Sequence, residues 1–153
     1  MESRLTTTDS VLSTFTAADG DNLAVQYWPA AEDRPRRGVV VVVHGLGEHA
    51  GRHDRLAQRL TEWGFAVIGH DQCGHGDSAG VRGCLPSTTR LIDDLGDVVD
   101  SARHRLKEGE KLFVLGHSMG GLVAACYGLL RRPAIDGLIL SSPALRTDLG
   151  ALQ

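Results

Sequence analysis

A chain of 153 residues, 42% of them hydrophobic, is about one domain long, and a domain of that size buries about 70% of its unfolded surface. Its 19 acidic and 16 basic residues leave a formal charge of -3, and no basic block is long enough to follow a phosphate backbone, which argues against nucleic acid as a partner. The longest apolar run, Val39 to Val43, is far short of the ~20 residues of a transmembrane segment, and the opening MESRLTTTDSVLSTF has no continuous apolar stretch of the kind a secretory signal needs. A soluble cytoplasmic protein is therefore expected. Cys73, Cys84 and Cys126 are odd in number and lack metal-ligand spacing, so free thiols are expected rather than a disulfide framework or a metal site, with Cys73 alone near a functional site.

In chain order, STFTAADGDNLAVQYWPA holds two mixed-alternation segments around Asp19-Gly20-Asp21-Asn22, the chemistry of a tight turn, and predicts an antiparallel hairpin. After the polar connector AEDRPRRG, the β-branched run Val39 to Val43 predicts a strand buried on both faces. Leu56, Ala57, Leu60 and Trp63 fall at helical spacing within His53 to Trp63, and Gly64 ends that helix. Phe65 to Ile68 is the next buried strand. Ser87, Thr88 and Thr89 can cap a helix whose Leu91, Ile92, Leu95, Val98, Val99, Ala102 and Leu106 form one apolar stripe, its aspartates facing water. Leu112 to Leu115, Met119 to Leu130 and Leu138 to Leu140 follow as strand, helix and strand, the helix ending at Arg131, Arg132 and Pro133. Strands alternating with amphipathic helices imply one α/β unit over residues 1–153, a mainly parallel sheet with helices on both faces and the hairpin at one edge.

In such sheets, ligands meet the carboxyl ends of the strands. Ser118 lies there, and Gly116 and Gly120 complete GxSxG, a strained strand-to-helix turn that exposes a nucleophile at a helix N-terminus. A bare GxSxG arises by chance in roughly one chain in twenty of this length, given glycine near 7% of residues. Its placement between an apolar strand and a helix, with a third glycine at 121, makes it specific. An acyl-transfer serine needs two donors for the oxyanion, usually the N–H of the next residue and one from the loop after an earlier strand. Met119 supplies the first, and Leu46, in the glycine-containing HGLGEHAGR, is the candidate for the second. His44 and Gly45 form the strand-to-loop corner, the imidazole in a structural role. Glu48 and Arg52 either pair and brace this loop or stand as exposed charges.

Together HGLGEHAGR, GHDQCGHGDSAGVRG, GHSMGG and LILSSPAL resemble, in order and spacing, the α/β-hydrolase superfamily, in particular its monoacylglycerol lipase-like, serine aminopeptidase-type group. The resemblance covers nearly the whole chain. It implies a three-layer α/β-hydrolase fold and a serine hydrolase of carboxylic esters acting on monoacylglycerols or lysophospholipids. It makes Ser118 the nucleophile and the N–H groups of Leu46 and Met119 the oxyanion hole, with Gly116, His117, Gly120, His44 and Gly45 in support and no cofactor or metal. His53 stands where such enzymes often have tyrosine, and Cys73 where many have arginine.

That machinery runs Ser, then Asp or Glu, then His, yet all seven histidines, at 44, 49, 53, 70, 75, 104 and 117, precede Ser118. His117 projects from the neighbouring position of the turn and is poorly placed as a base. His49 and His75, in loops on the same face, are the candidate substitutes. Asp136 or Asp148 as the acid would have no histidine to orient. The resemblance therefore implies a fold truncated before the lid and the final strands and a chain inactive alone, with the apolar last strand left as an edge for a partner to cover. The alternative is a non-catalytic α/β-hydrolase-like binding or interaction module. A nucleotide-binding doubly wound domain is disfavoured, because neither GxGxxG after the first parallel strand nor a phosphate loop with its lysine is present.

Overall fold

The computed structural model describes residues 9–131 and 134–146. Six strands, β1 (Val11–Thr16), β2 (Asn22–Trp28), β3 (Gly38–Val43), β4 (Phe65–His70), β5 (Lys111–His117) and β6 (Gly137–Ser141), form one sheet in the order β1-β2-β4-β3-β5-β6. The β1–β2 hairpin joins β4 antiparallel, while β4, β3, β5 and β6 run parallel. A 3-10 turn at Ala50–His53 leads into α1 (Asp54–Glu62), and α2 (Arg90–Arg103) and α3 (Met119–Arg131) complete the α/β order expected from the pattern. The strands outrun their apolar stretches. Pairing of Val43 with both His70 and Gly116, and of His117 with Ser141, carries the ladder into polar residues, because backbone hydrogen bonding does not require apolar side chains. Residues 132 and 133 and Asp148 lie outside the described residues.

Alternation along β3 divides the core. Val39, Val41 and Val43 pack with Ala66, Ile68, Leu112 and Val114 against Leu95, Val98, Val99 and Ala102 of α2 and Val123 and Ala124 of α3. Val40 and Val42 point the other way, toward Trp28, Ala57, Val67 and Leu115 on the α1 side. Two expectations need correction. Trp63 is 54% exposed, since α1 ends at Glu62 and turns it outward. The large aromatic of that face is instead Trp28, whose indole N–H donates to Asp54 Oδ1 at 2.8 Å and holds the start of α1 to β2.

The second correction concerns α2. Thr89 is its N-cap but makes no side-chain cap bond, and Asp94 is buried rather than facing water. Arg90 is the reason: its Nε lies 2.8 Å from Asp94 Oδ1 one turn on, and its Nη1 lies 2.5 Å from Asp19 and 3.0 Å from Asp21. A carboxylate with a guanidinium at i-4 is neutralised where it sits, so it can be buried. The same cation ties the hairpin turn to the start of α2.

The sheet ends at two edge strands among the described residues, β1, where Val11 and Leu12 are exposed, and β6. Leu138, Ile139 and Leu140 are all more than a third exposed, and β6 has β5 on one side and no strand on the other among the described residues. Pairing of Leu115 with Ile139 puts Ile139 on the α1 face, where α1 itself packs against β4 and β2 instead. On the opposite face, Leu138 and Leu140 join Ala125, Gly128 and Leu129 around a cavity of about 480 Å³.

Candidate active site

β5 ends at His117 and α3 begins at Met119, leaving Ser118 at the corner with a φ of 52°. A non-glycine residue there costs on the order of 1–3 kcal/mol and persists only when its surroundings overdetermine it. The surroundings are visible. The Ser118 N–H donates to Ser141 O at 3.0 Å, and the Ser118 carbonyl accepts from Gly121 at 3.0 Å, Leu122 at 3.2 Å and Ala144 at 3.0 Å. The first turn of α3 and the segment after β6 thus grip the corner from two sides. Residues 141–144 belong to the LILSSPAL segment, but their side chains do not announce this grip, because the bonds are made by backbone atoms.

The flanking glycines are close-approach positions. A Cβ at Gly116 would run into the Gly120 carbonyl, and one at Gly120 into the carbonyls of Val43 and His44, where β3 ends. Neither neighbour can give way without disturbing the sheet. Gly120→Ala is expected to cost about 3 kcal/mol, the upper end for overpacking, measured as a lower urea midpoint at unchanged slope. An unchanged midpoint would show that the corner is less tightly packed than this.

The loop after β3 lies against the same corner. A Cβ on Gly45 would be 3.3 Å from Ser118 Cβ and 3.0 Å from Glu48 Oε2, so the main chain passes close to the serine and a side chain there would crowd both neighbours by a few tenths of an ångström. Gly45 to Glu48 form a turn in which the Glu48 N–H donates to Gly45 O at 3.3 Å, with Gly47 at a φ of 70°. Glu48 Oε2 also accepts the Gly45 N–H at 2.9 Å, and that bond holds its carboxyl below the usual range. Arg52 Nε is farther, at 3.8 Å from Glu48 Oε1, and mostly exposed, so Glu48 braces the loop chiefly through the main chain. Among the described residues, neither the Leu46 N–H nor the Met119 N–H has a backbone acceptor.

His44 is fully buried, with Nδ1 2.7 Å from Gly45 O and Nε2 accepting the Gln72 N–H at 2.9 Å. Burial lowers its pKa, only partly offset by the Gly45 bond. At the far end of the loop, the Ala50 N–H donates to Asp71 Oδ1 at 2.7 Å. Asp71 and Gln72 escaped the sequence reading. Both lie in the GHDQCGHGDSAGVRG segment that carries the resemblance, and what marks them individually is that they are polar residues directly following a buried strand.

The other histidines take separate places. His53 Nε2 is 3.8 Å from Glu48 Oε2, its ring lies 6.2 Å from that of His117, and burial lowers its pKa. His117 Nδ1 is 3.2 Å from Ser141 Oγ. With Glu48, Arg52, Leu56 and Leu115 these side chains line an open cavity of about 490 Å³ beside the elbow. His75 packs 5.2 Å from the His44 ring with Nδ1 3.1 Å from Cys73 O, and His49 is exposed against Gly51. Asp136 is excluded as the acid. It accepts the Leu112 N–H at 2.9 Å and pairs with Lys111 at 3.0 Å, at the opposite end of β5 from Ser118. A larger cavity of about 810 Å³, between the hairpin turn, α2 and α3, contains none of the elbow residues, and its Asp93, Asp94 and Asp100 are paired with Arg131, Arg90 and Arg103. Cys73 is buried, and no disulfide links the three cysteines. Among the described residues, no group of three or more His, Cys, Asp or Glu is arranged to hold a metal, and no helix is long and apolar enough to cross a membrane.

A mainly parallel sheet with an antiparallel leading hairpin and a serine at positive φ between β5 and α3 defines the α/β-hydrolase class. Within it, the family model described as serine aminopeptidase, S33 matches residues 34–152, and the chain belongs to that family. It is 36% identical over 128 residues to the monoglyceride lipase of Rattus norvegicus, covering 84% of this chain and 41% of that protein. It is 35% identical over 136 residues to the monoacylglycerol lipase of Mycolicibacterium smegmatis, covering 89% and 48% respectively. The crystal structure of a soluble variant of the Saccharomyces cerevisiae monoglyceride lipase, in complex with a substrate analog, superposes with a TM-score of 0.86 at 27% identity, covering 98% of this chain and 50% of that one. The chain thus spans about half the length of the relatives it matches, or less.

Proposed function

We propose that this chain carries the nucleophile and oxyanion half of a carboxylic ester hydrolase of the monoacylglycerol lipase or lysophospholipase kind. Ser118 Oγ attacks the ester carbonyl, and the charge that develops on its oxygen is held by the Leu46 and Met119 N–H groups. Collapse expels the alcohol and leaves an acyl-serine, which water then hydrolyses. No metal or organic cofactor enters this sequence. The observation that carries the reading is Ser118 at a φ of 52° with Gly45 packed against it. The lipase relatives support a lipid ester as substrate. The cytoplasmic setting and single-domain organisation expected from the sequence belong to the same proposal.

The proton must go to a base, and no histidine follows Ser118 in this sequence. A polypeptide that supplies the acid and the histidine would have its place along β6, whose apolar residues are exposed and whose outer edge pairs with no strand among the described residues. The engagement of His75 with Cys73 O and of His117 with Ser141 favours a second reading, a non-catalytic module that retains the fold. Treatment with a fluorophosphonate probe separates the two. Labelling that disappears in Ser118→Ala is expected once a lipase C-terminal half supplies the base. A chain that remains folded and unlabelled, alone and when completed by a lipase C-terminal half, would establish the module instead.

A further inference from the structure

Tyr127 lies about two turns along α3 from the elbow and is only 3% exposed, yet its hydroxyl bonds to no described residue. That hydroxyl is not sealed off as the ring nitrogens of His70 are. It opens into the cavity of about 810 Å³ between the hairpin turn, α2 and α3. Buried tyrosines usually satisfy their O–H, so the partner of this one comes from outside the fold. Burial, with Asp100 nearby and Arg103 in partial opposition, pushes the phenol above its ordinary pKa. It stays protonated, with donor and acceptor both free.

The facing wall is α2. Asp93, Asp97 and Asp100 recur there at helical spacing around Gly96, which has no side chain to cover the edge of the Tyr127 ring; a Cβ at 96 would stand 3.6 Å from Tyr127 Cε2. Asp93 pairs with Arg131, Asp94 with Arg90 and Asp100 with Arg103. Asp97 pairs with no cation among the described residues: its Oδ2 accepts the Ala18 N–H at 2.7 Å and its charge is left over. Water can satisfy an open hydroxyl but does not neutralise a carboxylate. Across the cavity five aspartates face three arginines, which disfavours an anion. A metal ion is disfavoured as well, because among the described residues no three candidate ligands converge.

We propose that the groove between α2 and α3 is a binding site for an organic cation, an ammonium or guanidinium on an alkyl chain, whose N–H groups donate to the Asp97 carboxylate and to Tyr127 Oη from the space over Gly96. None of these residues belongs to the elbow or the oxyanion loop, so the site stands or falls apart from the hydrolase reading. A free amine and a basic side chain of a partner polypeptide share this chemistry.

The test titrates agmatine, a guanidinium on a butylamine chain, into the ¹⁵N-labelled full chain. Saturable NMR shifts centred on Gly96, Asp97 and Tyr127 are expected, with a Kd on the order of 1 mM. Tyr127→Phe removes an oxygen that binds nothing in the fold and should weaken binding about fivefold, the worth of one hydrogen bond. Asp97→Asn keeps an acceptor for the Ala18 N–H, loses the charge and should weaken it about tenfold. Gly96→Leu places a side chain over the ring on a helical backbone that accepts one, and should abolish binding. An end-blocked tri-arginine peptide distinguishes the sources: Tyr127-dependent binding at least tenfold tighter than that of agmatine assigns the groove to a partner's basic segment, and equal or weaker binding assigns it to a free amine. Should Asp97→Asn unfold, Tyr127→Phe decides alone. The proposal is overturned by the absence of saturable shifts at these residues, or by an affinity that Tyr127→Phe and Gly96→Leu leave unchanged, the mark of diffuse attraction to an acidic surface.

Discussion

Ester hydrolysis is expected to rise by on the order of 10⁶-fold when a polypeptide bearing a downstream carboxylate and histidine completes the sheet, since removal of the catalytic histidine costs about that factor in a comparable serine hydrolase. The direct form of the experiment grafts the C-terminal half of the M. smegmatis monoacylglycerol lipase after β6 and measures turnover of a monoacylglycerol. The graft adds a strand where Leu138, Ile139 and Leu140 are now exposed, and it supplies the histidine that does not follow Ser118 in this sequence. Ser118→Ala in the grafted protein should return turnover to the level of the isolated chain. A folded graft that hydrolyses no ester would leave the family assignment intact and remove the proposed activity. The gain is large because a base acts on every turnover, whereas the oxyanion donors alone leave only ~10³ to 10⁴ over water.

Folding stability is expected to fall as the pH drops from about 6.5 toward 3, with His70 the principal histidine responsible. This imidazole at the end of β4 is fully buried, neither ring nitrogen has a hydrogen-bond partner, and burial lowers its pKa to about 3. Between the ordinary histidine pKa and that value, the unfolded chain binds a proton that the folded one does not, so stability decreases with acidification. The slope approaches about 1.4 kcal/mol per pH unit, and the total across the window is roughly 4 kcal/mol. Above pH 7 both states are neutral at this site and it contributes no pH dependence. His70→Leu, similar in size and without orphaned nitrogens, should flatten the dependence of the urea midpoint between pH 7 and pH 4, and an identical slope in the variant would acquit His70. His44, also depressed by burial, adds to the same trend with the same sign.

Much of this architecture follows from residues that act locally. The unbroken valines of β3 can only be covered on both faces, and the alternation of apolar strands with amphipathic helices leaves few arrangements other than a mainly parallel sheet. Ser118 was legible for a similar reason: Gly116 and Gly120 sit at fixed offsets around a corner whose geometry tolerates no side chain there. The order of nucleophile and histidines is likewise a property of the string itself. Other features were decided by approach in space. Trp28 rather than Trp63 anchors α1, because the bond of the indole to Asp54 spans two elements that periodicity treats separately. Asp94 is buried, because Arg90 collects it together with the distant Asp19 and Asp21. The grip of residues 141–144 on Ser118, and that of Gln72 on His44, pass through backbone atoms and long-range contacts that no local pattern encodes. Sequence alone thus determined which residues meet at the corner by adjacency and spacing. Only the tertiary structure decided how they are held there, since the direction of a peptide N–H depends on what binds the carbonyl behind it.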